Sequence, residues 1–290
     1  MNAALPPKSL GKLLAGFAEL PRDVVVSDLT QDGRVARPGC AFLAVRGTNE
    51  HGLRYAPQAV ANGARAVLWE PAPSANVPDL PSDIVVAPVA HLREHVSEIA
   101  ARFFGAPSTQ LSIAGITGTN GKTTTTQLTA HMIGQAGKAV AAVGNIGTTV
   151  LDAIRDPNGF DVLVVELSSY QLHWMPREGP GAVMALASTC LNIAPDHFDW
   201  HGDARKHRDA KATVYWNTRV ACVYNLDDEE TRRMVEEAEV EEGCRAVGFG
   251  IGTPGPSDFG VVEDLLVDRA FLETRANNAL EIAKIGRAHV

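Results

Sequence analysis

The sequence predicts an α/β protein of two units, the second built on a parallel sheet that carries a phosphate-binding loop. Three observations predict it. Short apolar runs alternate with helical stretches along the whole chain, the pattern of strands covered by crossover helices. Gly105 and Pro107 interrupt that alternation after a long helical face and mark a boundary at 105–109. Beyond the boundary, an apolar run at Leu111–Ile116 meets Gly115-Ile-Thr-Gly-Thr-Asn-Gly-Lys-Thr-Thr124, and Thr123–Gln135 has no Pro or Gly before Gly134. Strand, glycine-rich turn and helix in that order gather backbone N–H groups and a positive helix end at one point.

In chain order, Met1–Leu20 reads as an amphipathic opening helix with Leu10, Leu13, Leu14 and Phe17 on its apolar face. Prolines at 6 and 7 and lysines at 8 and 12 argue against a signal peptide. Strands are expected at Val24–Val26, Ala41–Val45, Arg65–Trp69 and Asp83–Ala87, with helices at Tyr55–Ala61 and His91–Phe104. Asp32-Gly-Arg34 and Arg37-Pro-Gly39 carry turn chemistry, and Pro71–Pro81 reads as a proline-rich loop. After the boundary, strands are expected at Leu111–Ile116, Lys138–Val143, Asp161–Glu166, Ala182–Ala187 and Arg219–Tyr224. Helices are expected at Thr123–Gln135, Ala204–Tyr215 and Asp227–Glu242, the last with a heavily charged, solvated face. The division is therefore 1–108, 109–284 and a tail at 285–290.

Composition narrows the class. The chain has 290 residues, 45% of them hydrophobic and 21% charged, enough for a globular core. The formal net charge of −8 and the lack of a basic stripe give nucleic-acid binding no support. Four scattered cysteines without a C-x-x-C pair suggest neither zinc nor a disulfide framework, and fit a reducing cytoplasm. No apolar run reaches membrane-spanning length.

The chemistry gathers at strand ends. Gly118 and Gly121 lack a Cβ, so the backbone can curl around an anion; Lys122 can reach terminal phosphates and the Thr123 hydroxyl can ligate Mg²⁺. The general P-loop pattern places glycine at 116, where this chain has Ile116; the plain alternative is a glycine-rich turn with a stray lysine. Glu166 ends a buried-looking strand, either as a Mg²⁺ ligand or as a cap on the turn before Ser168-Ser169. Asn192-Ile-Ala-Pro-Asp-His-Phe-Asp-Trp-His-Gly202 packs two histidines and two aspartates into six residues. His197 could ligate a metal or place a phosphate, or be structural. Lys211 follows on a helix, and an ammonium there would repel Mg²⁺ unless displaced or converted to an anion.

Together these residues resemble the Mur ligases, the ATP-dependent amide-forming enzymes of peptidoglycan synthesis. The resemblance implies that Gly118, Thr119, Asn120, Gly121, Lys122, Thr123 and Thr124 form the ATP loop. It further implies that Glu166 ligates magnesium, that His197 serves a second metal, and that Asn145 lies near substrate and metal. Lys211 matches the lysine that the family N-carboxylates, and a carbamate, being an anion, suits Mg²⁺. Residues 1 to about 128 are similar to the ligase that adds the third stem residue, through Leu29-Thr-Gln-Asp-Gly-Arg34, Phe42-Leu-Ala-Val-Arg-Gly47 and Ala100-Ala-Arg-Phe-Phe104. From about Gln127 the chain is similar to the D-glutamate-adding ligase, through Gly144-Asn-Ile-Gly147, Glu166-Leu-Ser-Ser-Tyr-Gln-Leu172 and Asn192–His197. We read this seam as two genes joined at their shared loop, by natural fusion or assembly error. Ile285-Gly-Arg-Ala-His-Val290 matches a translated sequencing adapter, so a non-native tail is expected, with the family's third domain missing.

The resemblance implies UDP-N-acetylmuramoyl-peptide and an amino acid as substrates, a phosphorylated carboxylate as intermediate, and Lys122, Glu166, His197 and Lys211 as catalytic residues. Without the third domain the 290-residue chain is expected to be inactive as a ligase. The first unit departs from its pattern: Gly33 stands for a usual Ser, Cys40 for a usual Asp, and Thr48-Asn-Glu50 occupies the loop that closes on the UDP-sugar. Two competing readings are a GTPase-like nucleotide module, disfavoured because Tyr224-Asn-Leu-Asp-Asp228 lacks the guanine-reading Lys, and a folate polyglutamate-type ligase.

Overall fold

The computed structural model describes residues 6–47, 50–73, 75–196 and 198–286, with the backbone alone for Phe198 and Asp199. Spatially the chain groups into two units. One runs to Pro107 and takes in Glu178–Ala182; the other holds Ser108–Arg177 and the chain from Val183 on. The linear division at 108 assigns 178–182 to the second unit. Close packing explains their placement, since a Cβ on Gly181 would sit 2.7 Å from Glu98 N.

The first unit contains β1 (Lys8–Ser9), α1 (Leu10–Leu13), β2 (Val25–Val26), β3 (Asp28–Thr30), β4 (Cys40–Ala44), α2 (Ala56–Ala61), β5 (Ala66–Trp69), β6 (Val85–Pro88) and α3 (Leu92–Phe104). Strands β3-β4-β5-β6 form a parallel sheet in that order. All five residues of β4 are buried, as a strand covered on both faces requires. Of the expected opening helix, Met1–Leu5 lie outside the described residues, and the described part forms one turn. Ser9 caps it by accepting from Lys12 N, Leu10, Leu13 and Leu14 are buried, and Gly16 at φ +89° ends the path. Phe17 leaves the helical face and stacks on His95 at 4.2 Å.

Asp32 accepts from Arg34 N and pairs with its guanidinium at 2.7 Å, with Arg34 75% exposed. That hydrogen bond and charge hold the Asp32 carboxyl below its ordinary range. A Cβ at Gly33 would lie 2.8 Å from Tyr55 O, so a serine does not fit this backbone. Thr48 and Asn49 lie outside the described residues; Glu50 receives the Tyr55 hydroxyl at 3.0 Å.

The second unit contains β7 (Ser112–Thr117), α4 (Lys122–Gln135), β8 (Val140–Gly144), α5 (Val150–Arg155), β9 (Val162–Glu166), α6 (Ser169–His173), β10 (Ala187–Cys190), α7 (Phe198–His201), α8 (Ala204–Ala212), β11 (Ala221–Asn225) and α9 (Glu229–Glu236). Four strands follow: β12 (Arg245–Phe249), β13 (Asp258–Val262), β14 (Leu265–Asp268) and β15 (Leu280–Lys284). The sheet order is β15-β14-β13-β12-β11-β10-β7-β9-β8. It is parallel from β8 to β13, and only β14 and β15 run antiparallel. The chain leaves β7 toward β8 and β9, then returns on the opposite side as β10. That reversal opens a crevice at the carboxyl ends of β7, β9 and β10.

Two expected elements shift. The strand placed at Ala182–Ala187 is β10 at Ala187–Cys190. The apolar side chains of Val183 and Ala185 instead pack against Ile113, Leu163 and Val165 before pairing begins. The helix placed at Asp227–Glu242 runs only Glu229–Glu236, because Asp228 caps its start through the amides of Glu230 and Thr231. Beyond it Glu237, Glu239, Glu241 and Glu242 crowd like charge that does not sustain a helix. Among the described residues no helix is long and apolar enough to cross a membrane. The cysteines are less scattered than they read: adjacent β11 and β12 bring Cys222 Sγ and Cys244 Sγ to 3.8 Å.

Where β8 ends its pairing with β9, Gly144 has φ +108°, and a Cβ there would fall 2.3 Å from Glu166 O. Gly144→Ala is therefore expected to destabilise the second unit by about 2 kcal/mol or more, combining a left-handed non-glycine conformation with a backbone clash. A urea melt of wild type and variant measures it; equal midpoints would count against the close approach.

Candidate active site

Residue register brings the site together. Ile116 of β7 and Gly144 of β8 both pair with Glu166 of β9, and Thr117 pairs with Cys190 of β10. The loop after β7, the acid ending β9 and the segment after β10 thus open at one edge of the sheet. Gly118 stands at φ +146° and Gly121 at φ +80°; Gly121 forms the N-cap of α4 without a side-chain cap, so the first amides of a 14-residue helix point outward. A Cβ on Gly118 would come within 3.1–3.3 Å of Leu191 and Asn192, which is why this position takes glycine. Thr124 is exposed in the first turn of α4.

Glu166 is 2% exposed. Its Oε2 accepts from the Thr123 hydroxyl at 2.8 Å and its Oε1 from Asn145 Nδ2 at 3.1 Å, while Asn145 N donates to Glu166 O at 2.9 Å. The turn that follows is capped by others. Ser168 Oγ accepts from Gln171 N, and Gln171 Oε1 accepts from Ser168 N, a reciprocal capping box. Of the two readings of Glu166, the capping one has no geometric basis here.

Both lysines meet the loop rather than the acid. Lys122 Nζ donates to Gly118 O at 3.0 Å and Thr119 O at 2.9 Å; Lys211 Nζ, 3% exposed on α8, donates to the same Gly118 O at 2.9 Å. Asp203 caps α8 by accepting from Lys206 N, and Arg208 ties the helix to α9 through Glu230 and Glu237. Burial pulls the Lys211 ammonium down to about 8, and the Lys122 charge pushes the same way.

A cavity of about 150 Å³ lies among Gly118, Lys122, Asn145, Ser168–Tyr170, Asp196 and Lys211. Ser169, Tyr170 and Asp196 line it; from sequence they stood only as members of longer motifs, with no role of their own. Ser169 Oγ is bound by the buried His201 Nε2 at 2.9 Å, an arrangement that depends on the fold and left no local sequence signal. His197 lies outside the described residues. Among those described, no group of three His, Cys, Asp or Glu converges as a ready metal cage.

The fold and its glycine-rich loop define a P-loop α/β protein. Its lineage is narrower. The Mur ligase middle domain matches residues 116–277 and the Mur ligase family catalytic domain matches residues 25–104. The chain belongs to the Mur ligase family. It is 62% identical over 170 residues to a UDP-N-acetylmuramoylalanine–D-glutamate ligase of Leifsonia xyli subsp. xyli, covering 59% of this chain and 33% of that protein. It is 36% identical over 258 residues to a UDP-N-acetylmuramoyl-L-alanyl-D-glutamate–2,6-diaminopimelate ligase of Xanthomonas campestris pv. campestris, covering 83% of this chain and 51% of that one. The chain thus spans between a third and a half of these relatives' length. A solved diaminopimelate ligase of this kind shares the fold at a TM-score of 0.64 and 21% identity, covering 91% of this chain and 55% of that chain.

Proposed function

We propose that this chain carries the nucleotide site, and part of the acceptor site, of an ATP-dependent ligase that extends UDP-N-acetylmuramoyl-peptide by one amino acid. One observation carries the reading: Lys122, Thr123, Asn145, Glu166 and Lys211 meet around a single loop at the switch point of the sheet. D-glutamate is the favoured amino acid, supported by the 62% identical relative. Addition of the third stem residue stands as the alternative. The match to the diaminopimelate ligase covers too much of the chain to lie within the second unit alone. Comparing the binding of UDP-N-acetylmuramoyl-L-alanine with that of its D-glutamyl product separates the two.

The residues present fit Mg²⁺. Among the described residues the hydrogen-bond partners of the buried Glu166 carboxylate are the neutral Thr123 and Asn145, so its charge is not offset by a neighbouring cation. Glu166 and the Thr123 hydroxyl would hold the ion, with waters and phosphate oxygens completing a site of the kind Mg²⁺ prefers. When bound, the ion would offset the combined charge of a triphosphate and a substrate carboxylate. Lys122 would hold terminal phosphate oxygens, and the amides from Gly121 on would orient them. Lys211 as an ammonium would oppose the cation; as a carbamate it would attract it, in keeping with the family resemblance.

Titrating the chain with Mg·ATP tests the reading, and no binding heat at millimolar nucleotide would sink it. Glu166→Gln keeps the size and one acceptor, for Asn145 Nδ2, turns the other oxygen into an N–H₂ donor that the Thr123 hydroxyl can accept from, and removes the charge. It is expected to weaken Mg·ATP about tenfold or more while leaving metal-free ATP unchanged or tighter. Equal losses with and without metal would argue that Glu166 shapes the loop only.

A further inference from the structure

The loop that would take the triphosphate is held by a residue 72 positions away. Asn192 lies two residues beyond the end of β10. Its Oδ1 accepts from Thr119 N at 3.1 Å and from Asn120 N at 2.8 Å; its Nδ2 donates to Asn120 O at 3.1 Å; its own carbonyl accepts from Thr119 N at 3.0 Å. Thr119 Oγ1 accepts in turn from Ala194 N at 3.0 Å. The segment making these contacts is tied to β7 by Leu191 N, which donates to Thr117 O at 2.9 Å. It is anchored on its far side by Asn225 Nδ2, which donates to Leu191 O at 3.1 Å, and by Asp228 Oδ2, which accepts from Ile193 N at 2.7 Å.

Two consequences follow from that geometry. First, a side-chain oxygen on two successive amides stands where an anion would otherwise be drawn. With Thr119 and Asn120 N–H already used, the donors left for phosphate are those from Gly121 into the first turn of α4. Second, the clamp begins the same segment that reaches Asp196 on the cavity wall, so the loop and that wall are tied through Asn192, Thr119 and Ala194.

We propose that Asn192 is a positioning residue for nucleotide binding: it fixes the curl of the phosphate loop and steers the anion to the amides beginning at Gly121. The proposal rests on the nucleotide reading above. It requires no contact between Asn192 and the nucleotide.

Amide hydrogen exchange and Mg·ATP titration on the 290-residue chain, for wild type, Asn192→Ala and Asn192→Asp, decide it. In wild type, Mg·ATP should slow exchange at Lys122–Thr124 and leave Thr119 and Asn120 as they were. In Asn192→Ala, Thr119 N keeps the backbone carbonyl of residue 192, while exchange at Asn120 should quicken at least about tenfold, and Mg·ATP affinity should fall about tenfold, with the thermal midpoint nearly unchanged. Asn192→Asp keeps an acceptor facing both amides, so protection should persist. Affinity should still fall, because a carboxylate then stands beside the triphosphate. A purely structural asparagine predicts affinity that follows the thermal midpoint in both variants, and that pattern overturns the proposal. So does wild-type exchange at Asn120 in Asn192→Ala. Should that variant fail to fold, Asn192→Asp alone decides: unchanged Mg·ATP affinity refutes the steering. Absence of Mg·ATP binding in wild type refutes the nucleotide reading itself and the proposal with it, an outcome distinct from unchanged affinity in the variants of a chain that does bind.

Discussion

Lys122→Ala should lower the affinity of this chain for Mg·ATP by about two decades, the largest binding loss expected of any single change. A charge-assisted hydrogen bond to phosphate contributes about 1.5–3 kcal/mol, and an ammonium has three N–H groups to offer a terminal phosphate. Its present partners show that it stands ready: Nζ rests on Gly118 O and Thr119 O, neutral carbonyls of its own loop, rather than on a carboxylate that would have to be given up. Trading two carbonyls for phosphate oxygens therefore gains charge pairing at little cost in broken bonds. Because the same contacts brace the loop, Lys122→Ala also needs a thermal melt alongside the calorimetric titration. A midpoint shift of a few degrees with binding abolished fits the assignment; retained submillimolar Mg·ATP affinity would remove Lys122 from the site.

How far the site was readable from residues alone depends on the range of the interactions. The loop was legible because its signals are local. An apolar strand, two glycines able to take positive φ and an uninterrupted helix fall within 25 residues, and each is dictated by its own backbone. Glu166 was legible as a strand end, but the partners of its carboxylate were not. Those depended on Thr123 and Asn145 arriving from other elements, and on Ser168 and Gln171 capping the next turn without it. Asn192 was visible only as part of a polar cluster, since its clamp exists because β10 lies beside β7. The strands after residue 244 were missed for a different reason. Gly248, Gly250, Gly252, Pro254, Gly255 and Gly260 break the apolar runs, and pairing there follows close backbone approach, as at Gly260, where a Cβ would fall 2.2 Å from Gly252 O.

Lys211 offers the sharpest test of charge in the site. As an ammonium it is buried, pulled down to about 8, and held by one carbonyl. The folded chain therefore sheds this proton near pH 8, whereas the unfolded chain keeps it up to its ordinary value of 10.5. Between those values the unfolded state binds more protons, so this group's contribution makes stability rise with pH, and below about 8 its burial is a standing penalty. Lys211→Met should accordingly be more stable than wild type at pH 7 and should lose that rise between 8 and 10.5. A steeper rise in the variant would contradict the burial. The same depression leaves a substantial fraction of free amine near pH 8. Its nitrogen can attack CO₂, forming the N–C bond and releasing one proton to leave a carbamate anion, whose remaining N–H can still reach Gly118 O. Chain equilibrated with ¹³C-bicarbonate and Mg²⁺ should then show a carbamate carbonyl resonance that Lys211→Ala eliminates. In Lys211→Ala, Mg·ATP affinity should drop about tenfold and recover in part with added formate or acetate, small anions that can stand where the carbamate would be. A label signal that survives Lys211→Ala, or an affinity indifferent to both the substitution and the added anion, would leave Lys211 a buried ammonium and return the metal to Glu166 and Thr123 alone.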